Sequence, residues 1–116
     1  MIELRADNFE QEVLGPKEPV LICFSSNQSK EEQEQEKQLQ VLEQELAKGT
    51  LKSLEEVKIC RLDVKAAPIV ALKYGIMDLP AVVLMHFGLF QGKRTGLQTA
   101  DVLQEWLLES SKNDLT

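Results

Sequence analysis

With 116 residues and 43% hydrophobic content, the chain has the length of one ordinary domain and enough apolar residues for one modest core. Its formal charge of −6 opposes non-specific binding to nucleic acid or to an anionic membrane surface, both of which draw on a basic field, and points instead to a partner that is a protein or carries no charge. No apolar run reaches the length of a spanning helix, Met1 to Arg5 lacks the plan of a signal peptide, and two cysteines with one histidine make neither a disulfide scaffold nor a zinc site, so the expectation is one cytoplasmic domain, 1–116, without metal or cofactor.

Asp7 and Asn8 stand ready to cap a short helix from Phe9 to Leu14, which Gly15-Pro16 stops. Val20 to Phe24 is a continuous apolar run of strand length, suited to a parallel strand buried on both faces. After the polar segment Ser25 to Ser29, the stretch Lys30 to Lys48 lacks glycine and proline and is dominated by Glu, Gln, Lys and Leu, which predicts the longest helix. Leu39, Leu42 and Leu46, with Val41 beside them, supply a core stripe to its second half only. The first half, Lys30 to Gln38, is polar on every face and must be solvated, frayed or covered by a partner. A solvated face and an acidic docking surface for a basic partner both remain open.

Gly49 is placed to close that helix. Thr50 to Glu56 is a connection in which Leu51 and Leu54 could add a helical turn, and Val57 to Val64 reads as the next strand. A helix between two buried strands predicts a right-handed parallel βαβ unit. Pro68 fits the first turn of a helix running to about Tyr74 and ended by Gly75. Pro80 cannot donate to a sheet ladder, so at the head of the apolar run Ala81 to Met85 it marks a strand's first residue. Gln91 to Gly96 is expected to form a last, antiparallel strand, because the connection is too short for a crossover. Asp101 to Leu108 is the closing helix, with Trp106 in its apolar stripe, and 109–116 is expected to be a frayed tail. Phe87, Leu89 and Phe90 cluster at the hairpin. Such a cluster marks a contact surface, a homodimer included, unless it covers the edge strand or the Thr50 to Glu56 connection.

This order of β/α units, hairpin and helix, together with Tyr74-Gly75-Ile76, Leu79-Pro80, Gly88, Gly92 and Gly96, resembles the thioredoxin family over nearly the whole chain. Asn8-Phe9, Val13 and Pro19 to Ile22 resemble the family's opening, and only Lys48 to Glu56 is longer than usual. The resemblance implies a thioredoxin-like α/β fold, a central mixed sheet of four to five strands flanked by helices, with a cis bond at Leu79-Pro80. It also places Ser29-Lys30-Glu31-Glu32 where the family carries Cys-Gly-Pro-Cys. Thiol–disulfide exchange needs one thiolate to attack and a second thiol to resolve, and neither serine nor glutamate does this. A redox-inactive member acting by protein–protein interaction is therefore expected, as an adapter, assembly factor or chaperone-like subunit. Leu79, Pro80, Thr95, Gly96 and Leu97 correspond to the surface by which thioredoxins hold an extended polypeptide, a form of β-augmentation that needs no cysteine. Phe87, Leu89 and Phe90 are added to this list as contact residues.

The alternative is an unconventional thiol or glutathione-linked enzyme using Cys23 or Ser29. Cys23 stands where the family usually has a buried acid, with Arg61 where a lysine is usual. A cysteine on a central strand is more often a small core hydrophobe, and strand alternation sends Cys60 to the opposite face, so two free thiols are expected. Ser29 with Glu32 three residues on spells a capping box, which outweighs a nucleophilic role.

Overall fold

A computed structural model describes residues 1–49, 54 and 56–113. Five strands and three α-helices follow one another as β1 (Ile2–Leu4), β2 (Val20–Ser25), α1 (Lys30–Ala47), β3 (Lys58–Asp63), α2 (Pro68–Lys73), β4 (Ala81–His86), β5 (Leu89–Thr95) and α3 (Ala100–Asn113), with a π-helical segment Glu10–Leu14 after β1. The sheet order is β1-β3-β2-β4-β5, with β3 parallel to β1 and β2, and β4 antiparallel to β2 and β5.

β2 lies at the centre of this sheet and is buried throughout, as its unbroken apolar run requires. Its alternate residues feed two separate cores. Ile22 and Phe24 join Phe9, Val13, Cys60, Val83 and Met85 on the α2 side. Leu21 and Cys23 join Leu39, Leu42, Val82, Leu84 and Leu103 on the side of α1 and α3.

Several boundaries differ from expectation for local physical reasons. β1 has no signature in the sequence, since three residues carry no measurable period; it is held by its ladder to Cys60–Leu62. Asn8 does not cap the helix at Phe9: its Oδ1 accepts the Arg5 N–H at 2.6 Å, and the segment closes instead with an i to i+5 bond, Gly15 N–H to Glu10 O. Val41 lies beside the buried stripe of Leu39 and Leu42 and is exposed. β5 begins at Leu89 rather than Gln91, so the connection is the two residues Phe87 and Gly88, both at positive φ, with Gln91 bulged between the pairs Met85–Phe90 and Leu84–Gly92. A Cβ on Gly88 would stand 2.7 Å from the Leu14 carbonyl oxygen, so glycine is required there on two counts. α3 continues past Leu108 to Asn113. Trp106 is only partly buried and stacks under the Arg94 guanidinium, 4.7 Å from its ring centre. Leu54 is buried against the second core, whereas Leu51 and most of the expected Thr50 to Glu56 connection lie outside the described residues, as do 114–116.

Candidate functional site

Three segments converge at the N-terminus of α1: Ser26 to Glu32, Leu79-Pro80, and Thr95 to Ala100. Ser29 is the extended N-cap of α1, and its Oγ accepts the Glu32 N–H at 3.0 Å while the Glu32 carboxylate accepts the Ser29 N–H at 3.4 Å. The same carboxylate accepts the Gln28 N–H at 2.8 Å and the Ser26 hydroxyl at 3.0 Å. Burial opposes charge on Glu32, but these hydrogen bonds outweigh it and hold its carboxyl below the ordinary value of 4.5. A carboxylate with its lone pairs so occupied, at the positive end of a helix, is a structural cap.

The opposite wall is tied to this one through the backbone. The Leu79–Pro80 peptide is cis, Pro80 is buried, and Leu79 is half-buried against the α2-side core. The Pro80 carbonyl accepts the Gly96 N–H at 2.9 Å, and the Leu97 N–H donates to Glu31 Oε1 at 3.0 Å. The next turns of α1 continue the strap: Gln35 exchanges two bonds with the Gln98 backbone, at 2.8 and 2.7 Å, and Gln38 Oε1 accepts the Ala100 N–H at 2.9 Å. Thr95 and Leu97 are exposed beside them, and among the described residues the Leu79 N–H and C=O make no hydrogen bond. Leu79 thus lies next to Pro80, which the Gly96 N–H holds, and its main-chain hydrogen-bonding groups are open among the described residues.

The expected contact residues thus fall into two groups. Leu79, Pro80, Thr95, Gly96 and Leu97 come together beside Ser29. Phe87, Leu89 and Phe90 sit past the other end of β4, roughly 17–20 Å away along a six-residue strand. Leu89 and Phe90 belong to β5 rather than to the turn, and the Phe90 ring stacks on Tyr74 at 6.0 Å. Sequence reasoning passed over Gln35 and Gln38 as holders of a distant segment, and for Gln35 a signal existed. The stripe Leu46, Leu42, Leu39, extended backward at the same spacing, lands on Gln35 and Glu32, both of which are buried.

Cys23 pairs with Arg61 on one side and Val82 on the other, and is 3% exposed. Burial first, then the Glu36 and Glu32 carboxylates, pushes its thiol up to about 12, while Arg61 pulls weakly the other way. The Arg61 guanidinium is already engaged by Glu3 and Glu36. Cys60 belongs to the other core, and burial raises it to about 11; both cysteines are free. Neither presents a thiolate at neutral pH. Among the described residues no cluster of three His, Cys, Asp or Glu has the arrangement of a metal site, and no helix is long and apolar enough to cross a membrane.

The family model described as Thioredoxin matches residues 1–109. The chain belongs to the thioredoxin family. A chain solved in a study of the thiol-resolving mechanism of a yeast mitochondrial 1-Cys peroxiredoxin via glutathione and thioredoxin systems superimposes with a TM-score of 0.76 at 18% identity, covering 94% of each chain. It is one of 335 matching solved chains, so this thioredoxin fold is widely shared and does not choose a function. No curated protein matches the sequence. In this thioredoxin-family chain the groups left to distinguish a function are Ser29 and Glu32 at the start of α1 and the open main chain of Leu79.

Proposed function

We propose that this thioredoxin-family protein is redox-inactive by the family's dithiol mechanism and acts by holding another protein, as an adapter, assembly factor or chaperone-like subunit in the cytoplasm. One observation carries the reading. The positions that resemble the family's dithiol are Ser29 and Glu32, joined to each other in a capping box, while across the groove the Leu79 backbone remains open to pair with an added strand. Chemistry at the groove would need a nucleophile that Ser29, accepting a hydrogen bond and lacking a base, does not provide. Binding needs only the main-chain groups and the apolar side chains of Leu79 and Leu97.

Affinity capture from the native host, comparing the wild type with Leu79→Glu, tests this. Leu79 is half-buried, so retention of fold is first checked by thermal melting. The expected result is a defined protein recovered with the wild type and lost with a folded Leu79→Glu variant. Recovery of the same protein by both would move the contact away from the groove.

A further inference from the structure

Three side chains of α1 hold the segment from Leu97 to Ala100, and they differ in how far water reaches them. Gln35 is buried and accepts the N–H of half-buried Gln98; Gln38 is half-buried and accepts the N–H of buried Ala100. Glu31, which accepts the Leu97 N–H at 3.0 Å, is exposed, and so is Leu97. Breaking either glutamine bond leaves sheltered polar groups without a partner, whereas water can take over both ends of the Glu31 bond. Of the three ties, the one at Glu31 opens at the least cost. Its carboxylate also stands in the first turn of α1, where the helix dipole stabilises it whether or not it accepts from Leu97. Among the described residues no ion pair fixes it there.

This labile bond sits where the chain leaves the sheet. Gly96, at φ 90°, turns the chain out of β5; its own N–H bonds the Pro80 carbonyl, and the next N–H, that of Leu97, meets Glu31. On the other side of Pro80 the N–H and C=O of Leu79 are open among the described residues. A single hydrogen bond, Gly96 to Pro80, therefore links the open main chain of Leu79 to a main-chain donor that Glu31 has closed. A carbonyl of an added strand and the Glu31 carboxylate would compete for that donor.

We propose that Glu31 is an autoinhibitory latch: it closes the Leu97 N–H in the free protein, and a partner strand taken up at Leu79 displaces it to gain a second main-chain anchor. The proposal rests on the strand-holding reading given above. It adds that the free protein occupies part of its own binding surface and that Glu31 sets how tightly a strand is held.

The test uses the full chain, isotope-labelled, with Glu31→Ala, which removes the acceptor, and Glu31→Gln, which keeps a weaker, neutral one. Without any peptide, hydrogen exchange at the Leu97 amide should be about threefold or more faster in Glu31→Ala than in the wild type, while Gln98 and Ala100 keep their protection. The binding probe is a capped, uncharged peptide of about eight alternating valines and threonines, residues that favour an extended strand. It should shift the amides of Leu79 and Leu97 and bind Glu31→Ala about three- to tenfold more tightly than the wild type, with Glu31→Gln between them. The sign separates a latch from a merely structural tie, because loosening a structural tie would weaken binding. Weaker or unchanged binding by Glu31→Ala, undetectable binding included, would overturn the proposal, as would Leu97 exchange that Glu31→Ala leaves unaltered. Shift changes at Leu79 with the Leu97 amide unmoved would overturn the latch alone and leave strand-holding in place; failure of strand-holding itself is read from capture with Leu79→Glu.

Discussion

Glu32 closes the N-terminus of α1 as a structural cap. It is almost fully buried and accepts bonds from two backbone amides and a hydroxyl, so its charge is stabilised by fixed donors rather than water. Because its folded pKa is depressed, its contribution to stability is fully present above the unfolded value and is lost as pH falls through the folded one. Glu32→Gln leaves buried donors poorly matched and should cost about 1–2 kcal/mol at neutral pH. Urea denaturation at a series of pH values checks this. The gap between wild type and variant should hold down to about pH 4.5 and narrow below it, whereas a constant gap into strong acid would mean that the charge of Glu32 contributes nothing. The Ser29–Glu32 cap was legible in the sequence because both partners lie within one turn. The further bonds from Ser26 and Gln28 depend on how the preceding loop folds back, which local spacing does not encode.

At the scale of elements, α1 is two helices in function. Its second half buries Leu39 and Leu42 in the ordinary way. Its first half places Glu32 and Gln35 on the same stripe, and Gln35, with Glu31 and Gln38 beside it, holds the segment from Leu97 to Ala100 by its backbone. Gln35 is 0% exposed, and Gln35→Ala would leave the N–H and C=O of half-buried Gln98 without their side-chain partner, at a cost of about 1–2 kcal/mol. Hydrogen exchange should then quicken at Gln98 and Ala100 while the β2 and β4 amides keep their protection. Uniform acceleration would mean that the strap is not a separate unit. Gly96, which bonds to Pro80, belongs to the same loop, so loosening the strap also loosens the groove. The sequence shows that Lys30 to Gln38 is polar all round, but its partners are 62–66 residues away, beyond the reach of any pattern read along one helix. The strands β2, β3 and β4 were legible, since burial on both faces writes itself as apolar runs; β1 and the first residues of β5 depend on pairing with distant chain and were not.

Across the whole molecule, the fold is thioredoxin-like and the surfaces are its own. Two cores lie on either side of β2, and burial in them keeps Cys23 and Cys60 as neutral thiols. What carries the proposed function is the Ser29–Glu32 cap at the N-terminus of α1, where the resemblance to the family expects the dithiol. An insulin-reduction assay with excess dithiol reductant tests that claim most directly, run on the wild type with Cys23→Ala and Ser29→Ala beside it. The expected result is no acceleration over the reductant alone for all three proteins. Robust turnover by the wild type, lost in Cys23→Ala or in Ser29→Ala, would contradict it and make this protein a thiol or glutathione-linked enzyme.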